Sequence, residues 1–378
     1  MKSADTPINI VIYESSSFGG CYEYAKYLFS AYRQRFPTVM LLPRGAAYQG
    51  EGVERKLVND QPNTKNTLLR KGSFLYRNVM DPLLLFFFLL FRKKSLVILN
   101  DFEQLTAPLW VPLFRLCLSH HEFGVLLHDP DRDNYPPSKG YSIFCMKLMM
   151  GLMDYGYYHG YLPDKPYYRP NKTRFINVPH GLYPVSDRDE GLYEALMKEK
   201  NEKKYAAILG NIRHEKNYDL AIRALKKFPG LQLIIAGSPS SSEVQVSDFK
   251  QLADKEGVGK QVTWIIRFLS DEEMSTIISV SDVILLNYSH TFTSQSGIIN
   301  LIAPYKKPFI YSETASSLTY TAKKFKLGIG VKPDDVESFE KGMQQFFDGK
   351  KGIEGYEQYL QYASWDNHVG IVMQNRIL

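Results

Sequence analysis

The sequence SDVILLNYSHTFTSQSGIINLIAPYKKP, residues 281–308, sets the fold class expected for this chain. It opens with Val283 to Leu286, a short apolar run typical of a buried parallel strand. A polar loop, residues 287–295, leads to apolar residues at helical spacing, which predict a helix that begins near Ser296 with this serine as its N-cap. A strand, a loop and a helix N-terminus gather backbone N–H groups at one point, which favours a phosphate. An ordinary strand–loop–helix connection has the same pattern, so a function depends on the rest of the chain.

Length and composition limit the classes of protein to which the chain can belong. Its 378 residues exceed one comfortable core, so two domains are expected. The hydrophobic fraction of 44% and the charged fraction of 23% are those of a soluble globular protein. The net charge of +6 fits an anionic small ligand or an anionic membrane surface, and it does not indicate a nucleic-acid partner. Cys21, Cys117 and Cys145 lack metal-ligand spacing and are expected to be free thiols of a reducing compartment.

Neither a secretory leader nor a membrane span is expected. Residues 1–7 are polar, and residues 8–13 have the pattern of a first strand. The longest apolar run, LLLFFFLLF at residues 83–91, is shorter than the roughly 20 residues of a spanning helix. We therefore expect a cytoplasmic protein, or one bound peripherally to the inner face of a membrane.

The first half of the chain contains two polar segments that follow predicted strands. Gly19 and Gly20 lie in a glycine-rich turn between a strand and a helix, where the backbone can approach an anionic ligand. His128 follows the predicted strand at residues 125–127, at the edge where parallel sheets bind ligands. The segment 45–78 is polar and basic, and it is expected to be irregular.

A change in composition after residue 183 divides the chain. The stretch that follows is strongly charged, and a second series of alternating strands and helices begins near residue 205. We expect a first domain over residues 1–183, a second over residues 184–360, and a C-terminal helix over residues 361–378 that packs back on the first domain. The two series predict an α/β protein of two doubly wound Rossmann-like domains facing a cleft.

The second half contains candidate ligand-binding residues after successive strands. Gly210 and Asn211 open a loop that carries Arg213 and Lys216, and Gly237 ends the next strand. The third strand of this half leads to the pair Arg267 and Phe268; Ser270 then begins a strongly capped helix.

These segments together resemble the two-domain B-fold glycosyltransferases, in particular the large retaining family that includes glycogen synthases, sucrose synthases and bacterial lipid mannosyltransferases. Four landmarks occur in the order found in that family: the glycine turn at Gly19, the His-Asp pair that begins at His128, the loop with Arg213, and the Ser-Gly step at Ser296. The resemblance extends from about residue 8 to residue 365 and is strongest over residues 208–308.

The resemblance implies a donor site for a nucleoside-diphosphate sugar and no cofactor or metal. Arg213 and Lys216 would neutralise the diphosphate, and His128 would contact the donor sugar. The implied donor-binding residues also include Gly19, Gly20, Gly210, Asn211, Gly237, Arg267, Phe268, Thr293, Ser294, Gln295, Ser296, Gly297 and Ile298. Because Arg213 and Lys216 are placed in a loop, replacing either is expected to change folding little.

Asp129, Asp131 and Asp133 form two overlapping Asp-x-Asp pairs. Such pairs bind a divalent metal in glycosyltransferases of a different, single-domain fold, so metal binding is not expected here. A solvated acidic loop or a contact with an acceptor sugar fits better; in an inverting enzyme the three carboxylates would be candidates for the base. His180 is interpreted as a residue of a hinge turn.

One departure from the family concerns two glutamates that usually contact the donor sugar and the ribose. Thr293 and Leu301 occupy the matching positions. Some members with the Ser-Gly step also lack the glutamates, so a hexosyltransferase acting with retention remains the first hypothesis. A catalytically silent scaffold that partners an active transferase, or a sugar-nucleotide epimerase, is the alternative.

The expected acceptor is a saccharide or lipid-linked saccharide in bacterial surface polysaccharide or glycoconjugate synthesis. The apolar run at residues 83–91 ends in Arg92, Lys93 and Lys94, a combination that favours docking on an anionic bilayer. A core helix with a solvated basic end has the same pattern.

Overall fold

The computed structural model describes the chain except for residues 1–7, 61–65, 134–136, 170–171, 201, 242–243 and 377–378. The chain divides into two compact units. Unit 1 contains the chain up to Gly181 together with the segment from Ser364 onward, and unit 2 runs from Leu182 to Ala363. From the sequence we had placed the boundaries at residues 183 and 360.

Unit 1 is built on a parallel seven-stranded sheet of order β3-β2-β1-β4-β5-β6-β7. Its strands are β1 Asn9–Tyr13, β2 Thr38–Pro43, β3 Val53–Leu57, β4 Ser95–Leu99, β5 Glu122–Leu127, β6 Tyr155–Tyr158 and β7 Arg174–Asn177. The strand order reverses between β1 and β4, so the polar residues that follow these two strands meet at a topological switch point.

Helices cover both faces of this sheet. They are α1 Gly20–Arg33, α2 Thr67–Leu90, α3 Ala107–Cys117 and α4 Lys139–Leu152, joined by a C-terminal helix described below. Side chains alternate along β1, so that Ile10 and Ile12 pack with α1, whereas Val11 and Tyr13 pack with α2, α3 and α4. Unit 1 is therefore a doubly wound, Rossmann-like domain, as the sequence predicted.

The expectation of an irregular segment over residues 45–78 was wrong. β3 and the first turns of α2 lie there. The apolar run at residues 83–91 is the end of a 24-residue helix, which by length and composition is the one described helix that could cross a membrane. Only 33% of its most apolar window is buried. The sequence predicted only a short apolar run because the polar residues Asn78 and Asp81 interrupt the apolar pattern of the helix. In the structure both residues are buried.

Unit 2 is built on a parallel six-stranded sheet of order β10-β9-β8-β11-β12-β13. Its strands are β8 Lys204–Leu209, β9 Leu231–Ala236, β10 Val262–Ile265, β11 Val283–Leu286, β12 Phe309–Ser312 and β13 Ile329–Val331. Both faces of β11 are buried, as its continuous apolar run predicted. The switch point lies between β8 and β11.

Helices also cover both faces of the unit 2 sheet. They are α5 Glu190–Lys200, α6 Tyr218–Ala224, α7 Val246–Lys255, α8 Asp271–Val280, α9 Gly297–Ile302, α10 Ser317–Phe325, α11 Val336–Phe347 and α12 Tyr356–Tyr362. The strong start predicted at Ser270 is confirmed: its side chain accepts from the Glu273 N–H, and the Glu273 carboxylate accepts from the Ser270 N–H. Unit 2 is a second Rossmann-like domain.

The last helix, α13 Trp365–Gln374, packs on the sheet of unit 1 beside α1. His368 Nδ1 lies 2.8 Å from the Pro179 carbonyl oxygen, and Arg376 donates two hydrogen bonds of 3.0 and 2.7 Å to Glu122. The chain therefore returns to unit 1 after completing unit 2.

Candidate functional site

The candidate donor residues of unit 2 lie at one edge of its sheet. Gly210 follows β8, Gly237 follows β9, Arg267 follows β10, and the loop at residues 287–295 follows β11. Because all four strands are parallel neighbours, their carboxyl ends lie along the same edge. The sequence placed these residues correctly after their strands, and the strand order brings them together.

Gly210 and Gly237 allow two strand ends to approach closely. Their φ angles are +82° and +146°, which L-residues with a side chain rarely adopt. A Cβ atom on Gly237 would lie 2.1 Å from the Gly210 carbonyl oxygen. A Cβ on Gly210 would lie 3.4 Å from Ile298 Cδ1 and 3.6 Å from Lys216 Nζ. The loop after β8 and the first turn of α9 thus meet at Gly210.

Lys216 is buried, which its position in a loop did not predict. Its side chain folds back over the end of β8, and its Nζ donates to the Leu209 carbonyl oxygen. Burial, reinforced by the nearby charge of Arg213, lowers the pKa of Lys216 to about 7. An approaching anion would raise the pKa of such an amine, because the anion stabilises the ammonium form.

Arg213 is the exposed partner of Lys216. The two are linked through the backbone, since the Lys216 N–H donates to the Arg213 carbonyl at 3.1 Å. Asn211, two residues earlier in the loop, is exposed. The buried amine and the exposed guanidinium lie in one loop at the switch position of the sheet, where an anion would meet both.

The loop after β11 is fastened by aromatic and hydroxyl contacts. Tyr288 stacks on Phe292 with ring centroids 3.8 Å apart, and its hydroxyl lies 2.9 Å from Ser296 Oγ. Ser296 occupies the N-cap position of α9 as predicted, but its hydroxyl bonds to Tyr288 rather than to the helix backbone. Gly297 begins the helix.

The remaining donor candidates in this loop are half-buried. Thr293 and Ser294 lie in the loop, and the Thr293 carbonyl accepts from the Ser317 N–H at 3.4 Å. Among the described residues, the Gln295 Oε1 atom is buried without a hydrogen-bond partner. Leu301, at the second position of the missing glutamates, packs on the core of unit 2. The two positions therefore offer one hydroxyl and no carboxylate.

Arg267 and Phe268 lie beyond the edge strand β10. Arg267 forms an ion pair with Glu273 in the first turn of α8, and the Phe268 ring is 75% exposed. An exposed aromatic ring at the ligand edge of a sheet is available for stacking on a planar ligand.

In unit 1, the glycine turn after β1 opens directly into α1. Gly19 is the N-cap of α1 with a φ of +87°, and Gly20 is its first residue. A Cβ built on either glycine would meet no atom within 4 Å. The backbone there is accessible to a ligand at the N-terminus of a 14-residue helix.

The sequence did not single out Glu14 and Asn100, which meet at the switch point of unit 1. Asn100 Nδ2 donates to Glu14 Oε2 and to the Cys21 carbonyl oxygen, the latter at 3.0 Å. Burial and, less strongly, the nearby charge of Asp101 raise the pKa of Glu14 to about 8. Both residues directly follow predicted strands, β1 and β4, and this position was the signal that could have identified them.

His128 lies half-buried beside this pair. Since the amide nitrogen of Asn100 is committed elsewhere, its Oδ1 accepts from His128 Nε2, at 3.0 Å. His128 Nδ1 lies 3.3 Å from Nε2 of His159, whose Nδ1 lies 3.1 Å from the Val178 carbonyl oxygen. Burial lowers the pKa of His128 and His159 well below the usual value, and neighbouring histidines contribute. Both rings are therefore neutral at pH 7.

Two further histidines complete a cluster around the buried ring of Tyr24. The rings of His128 and His180 lie 4.5 and 4.8 Å from the Tyr24 ring, and His368 of α13 lies 6.4 Å away. Burial lowers the pKa of His180 and of His368 to about 4. His180, interpreted as a hinge-turn residue, is thus also part of the packed interior of unit 1.

The three aspartates after β5 do not form a common site. Lys165 Nζ bonds to Asp131 at 2.7 Å and to Asp133 at 2.9 Å, and Asp133 also accepts from Tyr167 at 2.7 Å. The Asp129 carbonyl accepts from Arg132 Nε. Within the part of the chain that the structure describes, no group of three or more His, Cys, Asp or Glu residues is arranged to hold a metal.

Residues 194–364 match the family model described as Glycosyl transferases group 1. The chain is 25% identical over 174 residues to the D-inositol 3-phosphate glycosyltransferase of Mycobacterium ulcerans (strain Agy99), covering 44% of this chain and 36% of that protein. The enzyme of the same name from Mycobacterium bovis (strain BCG / Pasteur 1173P2) is 31% identical over 131 residues, covering 34% and 24%. The alignments therefore span only about a quarter to a third of the length of these relatives.

Solved structures with the same fold cover nearly the whole chain. Sucrose-phosphate synthase from Thermosynechococcus elongatus superimposes with a TM-score of 0.68 at 15% identity, covering 97% of both chains. HepE of Anabaena in complex with UDP-glucose gives a TM-score of 0.64 at 13% identity, covering 97% of this chain and 98% of that one. These structures share the glycosyltransferase B-fold with the present chain.

Proposed function

We propose that this chain, whose residues 194–364 belong to the group 1 glycosyl transferases, transfers a hexosyl group from a nucleoside-diphosphate sugar to a saccharide or lipid-linked saccharide. The observation that carries the proposal is the pairing of Arg213 with the buried amine of Lys216 at the switch point of unit 2. HepE, which shares the fold, has been solved with UDP and with UDP-glucose, and that supports a nucleotide-sugar donor.

The chemistry asks for stabilisation of a leaving diphosphate while positive charge develops at the sugar carbon. Arg213 offers a planar pair of donors for phosphate oxygens. The amine of Lys216 would become protonated when the diphosphate binds and would then present a compact positive charge. Backbone N–H groups around Ser296 and Gly297 supply further fixed dipoles. Because these groups meet the charge of the diphosphate, we expect activity to survive removal of divalent cations by a chelator.

The remaining candidates fit supporting roles. We propose that Phe268 stacks on the nucleobase and that Gly19 and Gly20 present backbone donors to the donor substrate. His128, held by Asn100 and His159, is fixed as a neutral ring, which suits hydrogen bonding to a sugar hydroxyl better than proton abstraction.

Retention of the anomeric configuration and a role in bacterial surface polysaccharide or glycoconjugate synthesis belong to the same proposal. In a front-side reaction the leaving phosphate takes the acceptor proton, so no carboxylate base is needed. The absence of a required base is compatible with the ion pairs that Asp131 and Asp133 form with Lys165.

A screen of nucleotide sugars by thermal stabilisation, followed by product analysis with NMR, tests the function. We expect one nucleotide sugar to stabilise the protein and to yield a product with the donor's anomeric configuration. The variant Arg213→Ala should lose about 30- to 1000-fold in rate, equivalent to roughly 2–4 kcal/mol.

The matched control is Arg223→Ala, which removes an exposed arginine of α6 that pairs with Glu256, away from the loop. It should keep the parent rate. Nucleotide binding without any product would favour the silent scaffold, and an altered sugar nucleotide without an acceptor product would favour an epimerase.

A further inference from the structure

The outward surface of the α2–α3–α4 layer is unusually apolar. On α2, Leu69, Tyr76 and Phe87 are all more than half exposed. They are separated by seven and eleven residues, close to whole turns of an α-helix, so they form one stripe along its outer side. Their neighbours on the inner side, such as Leu85 and Leu89, belong to the core.

α3 carries a second stripe of the same kind. Leu109, Leu113 and Leu116 recur at intervals of four and three residues and are exposed, Leu116 to 79%. α3 packs against both α2 and α4. The two stripes therefore belong to one layer of helices, whose opposite side is the core of unit 1. We call the exposed side of α2, α3 and α4 the outer helical surface.

The charges of this surface are almost entirely of one sign. Across the three helices the only acidic residue is Asp81, which is buried and accepts a hydrogen bond from the Val58 N–H at 2.7 Å. The basic residues of these helices are Arg70, Lys71, Arg77, Arg115, Lys139 and Lys147. Apolar stripes interleaved with cations, without exposed carboxylates, complement an anionic lipid surface.

The contacts of α2 within unit 1 are compatible with a position along a bilayer surface and not with one across a bilayer. Arg77 bonds to Asp60 at 2.9 Å, Asp81 is fixed to the backbone after β3, and Leu85 and Leu89 fill the core. A spanning orientation would pull all these groups out of unit 1. An in-plane helix keeps them and buries only its outer stripe.

The basic residues at the end of α2 are less available for binding to anionic lipid than their sequence suggested. Arg92 lies over the Phe88 ring at 3.9 Å and 4.0 Å from Glu54, and Lys94 pairs with Glu122 at 3.3 Å. These charges are partly met inside unit 1. Arg70 and Lys71, in the exposed first turns of α2, are the stronger candidates for lipid phosphate.

We propose that the outer helical surface docks the protein on an anionic bilayer, with α2 lying in the plane of the headgroups. The stripes of α2 and α3 enter the boundary of the acyl chains, and Arg70 and Lys71 contact lipid phosphates. This docking does not depend on the proposed transferase activity, because it is measured without any sugar donor.

Vesicle sedimentation of the full chain tests the proposal. The protein should sediment with vesicles of phosphatidylglycerol and phosphatidylcholine, weakly with phosphatidylcholine alone, and less as salt is added. The variant R70E/K71E should bind at least about 30-fold more weakly, since each cation lost corresponds to roughly 1 kcal/mol. The variant L69S/Y76S/F87S should lose binding at low salt as well.

Matched controls carry the same changes on unit 2. K350E/K351E reverses an adjacent lysine pair, and V185S/M197S/I353S removes three exposed apolar side chains. Both should bind like the parent protein. Equal binding to neutral and anionic vesicles, no binding to either, or parent-like binding of the α2 variants would overturn the proposal. Circular dichroism of each variant confirms that it is folded.

Discussion

Lys216 shows how one side chain can combine a structural position with a function. Its amine is held at the end of β8 by the Leu209 carbonyl, in a place from which water is largely excluded. Burial opposes the charged form, so its folded pKa of about 7 lies below its unfolded value of 10.5. The stability associated with this group is therefore full above the unfolded pKa and is lost as pH falls toward 7.

The lowered pKa predicts proton uptake when a nucleoside diphosphate binds. At pH 8 the free Lys216 is mostly neutral, and the diphosphate charge raises its pKa, so binding should take up close to one proton. Isothermal titration calorimetry in buffers of different ionisation enthalpy measures the number of protons taken up. It is the slope of the observed binding enthalpy against the ionisation enthalpy of the buffer. The slope should be absent in Lys216→Met, whose side chain fills a similar space, and unchanged in Arg213→Lys. A parent protein without a slope would show that Lys216 does not face the diphosphate.

At the scale of elements, the turn at Gly181, where the first segment of unit 1 ends, packs against α13, the last helix of the same unit. Gly181 has a φ of +85°, and a Cβ there would lie 2.4 Å from Trp365 Cζ2 at the start of α13. The ring of Trp365 also packs on Tyr24 at 4.9 Å. Backbone conformation and packing therefore both require glycine at this position.

Gly181→Ala should destabilise unit 1 by roughly 2–4 kcal/mol, about 1 kcal/mol from the backbone and the rest from overpacking. Gly257→Ala is the matched control, because Gly257 has a φ of +75° with no atom within 4 Å of an added Cβ. Its cost should be about 1 kcal/mol. Urea denaturation followed by fluorescence measures both. Equal losses in the two variants would mean that Trp365 moves aside without cost.

At the scale of the whole molecule, the two units have separate hydrophobic cores. Every member of the two clusters in unit 2 lies within residues 182–363. One cluster of unit 1, by contrast, combines strands from the start of the chain with Val369 and Val372 of α13. Unit 2 is thus a continuous segment inserted before the last helix of unit 1.

This arrangement predicts different behaviour of two fragments. Residues 182–363 expressed alone should fold cooperatively and bind the nucleoside diphosphate, because the core and the Arg213–Lys216 loop are both present. A fragment ending at Gly181 should be markedly less stable than unit 1 in the full chain, because it lacks α13. Thermal unfolding and nucleotide titration of each fragment check this; an unfolded 182–363 fragment would contradict it.

The sequence by itself determined the two doubly wound domains, the place of the candidate loops after their strands, and the capped start of α8. Each of these depends on local pattern: apolar runs, helical spacing and capping residues within a few positions of one another. The order of the landmarks also anticipated the match of residues 194–364 to the family model described as Glycosyl transferases group 1.

Only the tertiary structure decided which of these residues are buried and what they touch. The row from Asn100 through His128 to His159 and the outer helical surface arise from residues far apart in the chain. The pKa of Lys216 is set by burial, which the sequence of its loop did not predict. Burial of a polar group depends on what packs over it, and a local pattern carries no information about that neighbour. For the same reason the sequence did not predict the long helix α2, in which the tertiary structure buries Asn78 and Asp81 and gives Asp81 a partner in the Val58 N–H.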